Sequence, residues 1–233
     1  MDAASKKFEA VSPDGAWVYY LILPDAWHPG AVVNVMRAPL SGGSPQPAVS
    51  GRPVIAVSCS RPPVNRCVVT EYDRKQFTLY DLDPIHGQVR EALIRIPNPG
   101  EPDELTRFFE PLAFPTSCRI TPDGSFVACA RVDKDPVVFR FLPLRGGQEH
   151  DVTVKGAVRL GYDFEFAPNG RGIYTAGRTP EGDQFIHIGP EGDVHAFGPA
   201  NSYELPPRVS PDGRHLAFDK WDESYNVWLI ENF

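Results

Sequence analysis

The sequence predicts an all-β fold, a β-propeller of about five four-stranded blades with the last blade incomplete, and three observations carry that expectation. A turn of the form Ser-Pro-Asp-Gly recurs along the chain. Each copy is followed by a strand-length apolar run. The copies lie roughly 45 residues apart, the period of a four-stranded blade.

The last repeat, residues 208–233, shows the pattern most fully: RVSPDGRHLAFDKWDESYNVWLIENF. In Ser210-Pro211-Asp212-Gly213 the proline sets φ at an early turn position, the aspartate caps its own backbone, and the glycine takes the left-handed conformation. The same signature precedes WVYYLIL at Ser12-Pro13-Asp14-Gly15, FVACARV at Thr121-Pro122-Asp123-Gly124, and GIYTAGR at Ala167-Pro168-Asn169-Gly170. From Asp14 to Asp123 is 109 residues, then 46 to Asn169 and 43 to Asp212, so a degenerate copy belongs in the first interval. It lies at Arg61-Pro62-Pro63-Val64-Asn65, between two apolar runs.

Taken in order, blade one covers about residues 8–50: FEAVS, WVYYLIL, VVNVMRAPL and a weak outer strand, PQPAVS, whose prolines suit an edge. Blade two, about 53–96, ends in QVREALIRI, whose periodicity also fits a helical face but whose context predicts a strand. Residues 97–116 form a linker that fits no blade, with one helical turn expected near Asp103 to Glu110. Blade three covers 117–154, blade four 157–199, and blade five 203–233 with three strands. The whole chain is thus one propeller domain of 233 residues.

Composition narrows the function classes. With 42% hydrophobic and 11% aromatic residues the chain builds a core, so its 25 prolines mark turns and not disorder. A net charge of −7 without a local basic run argues against nucleic acid as a partner. No apolar stretch is long enough for membrane insertion, and the first residues lack the apolar core of a signal peptide. The sequence names no compartment; a periplasmic or other extracytoplasmic place, within a membrane-tethered parent, stays open.

The four cysteines flank turns symmetrically, Cys59 and Cys67 about the degenerate copy and Cys118 and Cys129 about Asp123 and Gly124. Each pair is either a cross-strand disulfide or two buried free thiols, because one residue of register decides which face a side chain takes. His187 and His195 face each other across a hairpin centred on Glu191, with no third ligand to make a metal site. Asp14, Asp123 and Asp212 each have a turn-capping job that needs no ion. No motif implies a cofactor.

The turn repeats resemble those of TolB-type propellers. The strings CSRPPVNRCVVTEYDRKQ, FAPNGRGIYTAGR and SPDGRHLAFDKWDESYNVWLIENF are similar to the C-terminal region of acidobacterial proteins. There, a serine/threonine kinase or winged-helix regulator precedes the propeller. That resemblance implies a sensor or interaction module at the end of a signalling protein. The chain has no glycine-rich phosphate loop, no VAIK-like lysine and no HRD or DFG, so no kinase residue carries over. It has no GxSxG elbow either; the alternative is an accessory propeller of a prolyl-oligopeptidase-like hydrolase whose catalytic domain lies elsewhere.

In a four-stranded meander, second-to-third loops and blade-to-blade connections fall at one end. The two longest insertions, at residues 24–31 and 97–115, are of these kinds. Their Trp27, His28, Phe108 and Phe109 are therefore the expected partner-binding face, for a protein or small ligand. Blade five offers three strands and MDAASKK offers no good fourth, which predicts that the chain belongs to a larger propeller and is alone an open arc or a strained five-blade ring.

Overall fold

The computed structural model describes residues 5–24, 28, 30–97, 116–131, 135–156, 158–161, 163–200, 206–210 and 212–218. Among these there is no helix. The first sheet is a meander of β1 (Ser5–Val11), β2 (Trp17–Leu23), β3 (Val33–Pro39) and β4 (Gln46–Arg52). The second holds β5 (Val54–Cys59), β6 (Cys67–Tyr72), β7 (Gln76–Asp83) and β8 (Gln88–Pro97), and the third β9 (Thr116–Ile120), β10 (Phe126–Arg131), β11 (Val138–Pro143) and β12 (His150–Thr153). In the fourth, two short strands, β13 (Arg159–Leu160) and β14 (Glu165–Phe166), share the inner edge of β15 (Ile173–Thr179), followed by β16 (Gly182–Ile188) and β17 (Val194–Pro199). The fifth is described only in its first hairpin, β18 (Arg208–Val209) with β19 (Leu216–Ala217).

Turn chemistry explains why each blade opens alike. Asp14 Oδ1 accepts from Ala16 N–H, Ser12 Oγ accepts from Trp17 N–H at 2.9 Å, and Gly15 sits at φ +70°. Thr121 with Asp123, and Ser210 with Asp212, repeat these bonds. Asn169 Oδ1 caps Arg171 in the same way, and Gly124, Gly170 and Gly213 share the positive φ. In the degenerate copy Ser60 keeps the cap's role across a longer turn, its Oγ accepting from Arg66 N–H and donating toward the carbonyls of Val64 and Arg66.

The core lies between blades. Strand β6 is buried at every position because both its faces are covered. Cys67 and Val69 pack with Tyr19, Leu21, Val33 and Val35 of blade one, whereas Val68 packs with Ile120 and Val127 of blade three. Strand β10 divides likewise, with Val127 and Cys129 toward blade two and Ala128 and Ala130 toward Phe164, Phe166 and Ile186 of blade four. Period-two alternation thus assigns each middle strand to two neighbours at once.

Several expectations meet a different outcome. Strand β1 starts at Ser5 and not Phe8, since Lys6 and Lys7 pair with Ile22 and Leu21 on a long partner strand that supplies hydrogen bonds irrespective of propensity. YDFEF does not form one inner strand in blade four; it leaves Glu165 and Phe166 paired to β15, with Arg159 and Leu160 pairing separately. QVREALIRI is a strand, with β8 pairing antiparallel to β7 through two register shifts, at Leu79/Tyr80 and Tyr80/Leu82. The expected helical turn at 103–110 and the last strand of blade five lie outside the described residues.

Two contacts between blades carry predictions. Gly192 sits at φ +82°, and a Cβ there would lie 2.0 Å from the Thr153 carbonyl oxygen, while its own carbonyl accepts from Lys155 N–H at 2.9 Å. Gly192→Ala is therefore expected to destabilise the protein by about 2 kcal/mol or more, read from the urea midpoint, because both backbone strain and overlap oppose it.

The turn after β7 clasps blade one: Tyr19 Oη donates to Pro84 O, and Arg37 Nη1 donates to Ile85 O at 2.6 Å while stacking on Trp17. Within that turn Asp83 takes the Ile85 and His86 backbone N–H groups, His86 Nδ1 at 2.8 Å and Arg90 Nη2 at 2.5 Å. Burial alone would raise the Asp83 pKa; these donors instead hold it down to about 2. A folded pKa below the unfolded value of about 3.9 gives stability that is complete above that value and is lost as the pH falls toward 2. Asp83→Asn is expected to cost about 1–2 kcal/mol at neutral pH, a figure reduced because Arg90 is solvent-screened, and to flatten the acid limb of the stability profile.

Candidate functional site

Where the inner strands converge, a cavity of about 660 Å³ opens among the first turns of the blades. Counting back two residues from each turn's first position gives Ala10, Ser58, Arg119, Glu165 and Arg208, one from each blade. All but Ser58 carry side chains that pass from neutral in blade one to alternating charge in blades three, four and five, and all five line the cavity. Ser58 Oγ accepts from Ile120 N–H, tying blade two to blade three.

The charges interlock across blades. Arg119 forks onto Asp163, Nε to Oδ1 at 2.9 Å and Nη2 to Oδ2 at 2.5 Å. Arg208 Nη1 donates to Glu165 Oε2 at 3.0 Å, and Arg61 Nη2 reaches from blade two to Glu165 Oε1 at 3.2 Å. Burial by itself would protonate Asp163, but the Arg119 charge and its hydrogen bonds hold the carboxyl well below the usual carboxylate range. The same pairing more than offsets the burial of Arg119, whose guanidinium stays charged. On the opposite wall Glu9 is 4% exposed, accepts from Val57 N–H and ion-pairs with Lys7 at 2.9 Å.

Around the charged floor the wall is apolar: Phe8, Val11 and the turn prolines Pro13, Pro62, Pro122 and Pro168. Arg61 stands where the other described blades carry proline, and its backbone N–H, which proline lacks, donates to Pro122 O at 2.9 Å. Among the described residues no histidine lines the cavity. Its three serines are engaged locally: Ser12 with Asp14 and Trp17, Ser58 with Ile120, and Ser60 with Val64 and Arg66.

Of the residues expected at a partner face, Trp27, Phe108 and Phe109 lie outside the described residues. His28 is exposed, with Nδ1 3.5 Å from Arg74 Nη2 of blade two. The strand ends that flank the two long insertions, Leu23, Val33, Pro97 and Thr116, lie at the end of the sheets opposite the cavity-lining turns. Cys59 is bonded to Cys67 and Cys118 to Cys129, each pair in direct register with Cα atoms 4.0 and 4.1 Å apart. His187 pairs in register with His195, and burial together with that neighbour lowers the His187 pKa. Among the described residues no group of three side chains could hold a metal, and no helix is long and apolar enough to cross a membrane.

Sequence reasoning missed Arg61, Arg119, Asp163, Glu165 and Arg208. A signal existed for most of them. Aligning the repeats on their turns places Arg119, Glu165 and Arg208 in one layer, and marks Arg61 as the residue that replaces a proline.

Solved structures share this arrangement. TolB from Acinetobacter baumannii matches with a TM-score of 0.61 at 15% identity, over 88% of this chain and 47% of that one. A putative TolB from Agrobacterium tumefaciens matches with a TM-score of 0.60 at 16% identity, over 90% of this chain and 68% of that one. The chain is a β-propeller. A third match, puromycin hydrolase, gives a TM-score of 0.55 at 16% identity, over 91% of this chain and 33% of that one. The propeller described here thus spans about half the length of the first of these proteins and a third of the last, and at such identities the likeness is one of fold. No protein-family model matches the chain, and no curated protein does.

Proposed function

We propose that this propeller is a non-catalytic sensor or interaction module, with a small ligand entering the axial cavity and a protein partner meeting the opposite end. The observation that carries the reading is the cavity itself: apolar walls converging on a few fixed polar groups, the form of a ligand site. In this reading Trp27, His28, Phe108 and Phe109 belong to the partner end, and the parent is a signalling protein bearing a serine/threonine kinase or winged-helix domain. The two disulfides support an extracytoplasmic address, since such bonds persist in oxidising compartments.

The test has two arms. Purified chain should neither transfer phosphate from ATP nor cleave ester or peptide substrates, and turnover that follows the chain through purification and disappears with one substitution would overturn the reading. In pull-downs, Trp27→Ala with Phe109→Ala should abolish capture of the partner; unchanged capture would show that the faces are assigned wrongly. A second reading, an accessory propeller beside a hydrolase domain, draws on the match to puromycin hydrolase. The neighbouring coding sequence separates the two.

A further inference from the structure

The charge at the floor of the axial cavity is unbalanced. Arg61, Arg119 and Arg208 face Asp163 and Glu165, leaving one positive charge in excess, while Glu9 on the other wall is matched by Lys7. This surplus sits in a chain whose net charge is −7. Arg119 is committed to Asp163 through two bonds. Arg61 and Arg208 are less tightly held: Arg61 Nη2 and Arg208 Nη1 donate to opposite oxygens of Glu165, and Arg208 Nη2 lies 3.6 Å from Asp163 Oδ2, beyond hydrogen-bond distance. Their side chains are 22% and 40% exposed, and both residues line the cavity.

We infer that the cavity binds an apolar ligand bearing a single carboxylate, with the carboxylate held by the guanidinium groups of Arg61 and Arg208 and the apolar part lying against Phe8, Val11 and the turn prolines. A guanidinium edge matches a carboxylate in geometry and charge, and such charge-assisted bonds are about twice as strong as neutral ones. A monoanion cancels the one excess charge, whereas a dianion would add repulsion from Glu165. The apolar collar favours a ring or branched chain over a hydrated acid. A volume of about 660 Å³ admits either a small aryl or alkyl acid or the last residues of a peptide, which present the same chemistry.

The inference deepens the ligand-binding half of the proposed function, and its test separates the two. Isothermal titration of the full chain would use 4-phenylbutyrate against 4-phenylbutyramide, and an N-acetylated hydrophobic tripeptide with a free C-terminus against its C-terminal amide. At least one acid should bind, with its amide at least about tenfold weaker. The stronger of the two acids identifies the source as a small acid or a chain end. Arg61→Gln should weaken the acid about tenfold and Arg61→Lys less, while Arg140→Gln, at an exposed pair with Asp151 across β11 and β12 and away from the cavity lining, should leave it unchanged. Acids and amides binding alike, Arg61→Gln without effect, or no acid bound at millimolar concentration would each overturn the inference. Chemical conversion of a bound acid, followed by NMR, would instead sink the non-catalytic reading and leave carboxylate recognition standing.

Discussion

Asp163→Asn is expected to lower the unfolding free energy by about 3–5 kcal/mol, as far as any single charge deletion in this fold. The carboxylate of Asp163 is the partner of Arg119, whose side chain is 13% exposed, and a second neighbour, Arg208, lies 3.6 Å away. Asparagine keeps the shape and removes the charge, so a guanidinium stays buried between blades three and four with only the weaker influence of Glu165 and Glu9 to offset it. The contrast is Asp151→Asn, which breaks the pair with Arg140 at an exposed edge and should cost less than about 1 kcal/mol. Urea midpoints of the two variants decide the matter, and a loss below about 1 kcal/mol for Asp163→Asn would show that water reaches Arg119. Replacing both Arg119 and Asp163 by apolar residues should recover much of the loss, because it removes the stranded charge with its partner.

Reducing the two disulfides is expected to cost about 2–3 kcal/mol each and to lower the melting temperature by about 10 °C in all. The bridges close separations of 8 and 11 residues, short loops for which the restriction of the unfolded chain is modest but real. Their location adds to the effect. Cys67, Cys118 and Cys129 are buried, Cys67 in the layer between blades one and two and the other two in the layer between blades two and three, and Cys59 lines the cavity. Thermal melts with and without a phosphine reductant measure it, and the paired variants Cys59→Ala with Cys67→Ala, and Cys118→Ala with Cys129→Ala, apportion it. A shift of only a degree or two would mean that packing alone holds these hairpins.

Much of this was legible because it is local. The turn at Ser12 to Gly15 needs only its own residues to cap Asp14 and to place Gly15 at positive φ. Cys118 and Cys129 sit symmetrically about a turn whose length sets the register, so their pairing was one of two outcomes open from spacing. Strand β8 was read correctly against an ambiguous period because the blade required a fourth strand. The start of β1 at Ser5 and the split inner edge of blade four were misread, since both depend on what the neighbouring strand offers.

The candidate site divides along the same line. By itself the sequence determined the repeat, the turns and the all-β class, because these follow from backbone chemistry within a few residues and from strand-length apolar runs between turns. Only the tertiary structure decided that Arg61 meets Glu165 104 residues away, and that Arg119 spans 44 residues to Asp163. Those pairings depend on how far successive blades rotate about the axis and how wide the central space remains, quantities set by the packing between blades and carried by no single segment of the chain.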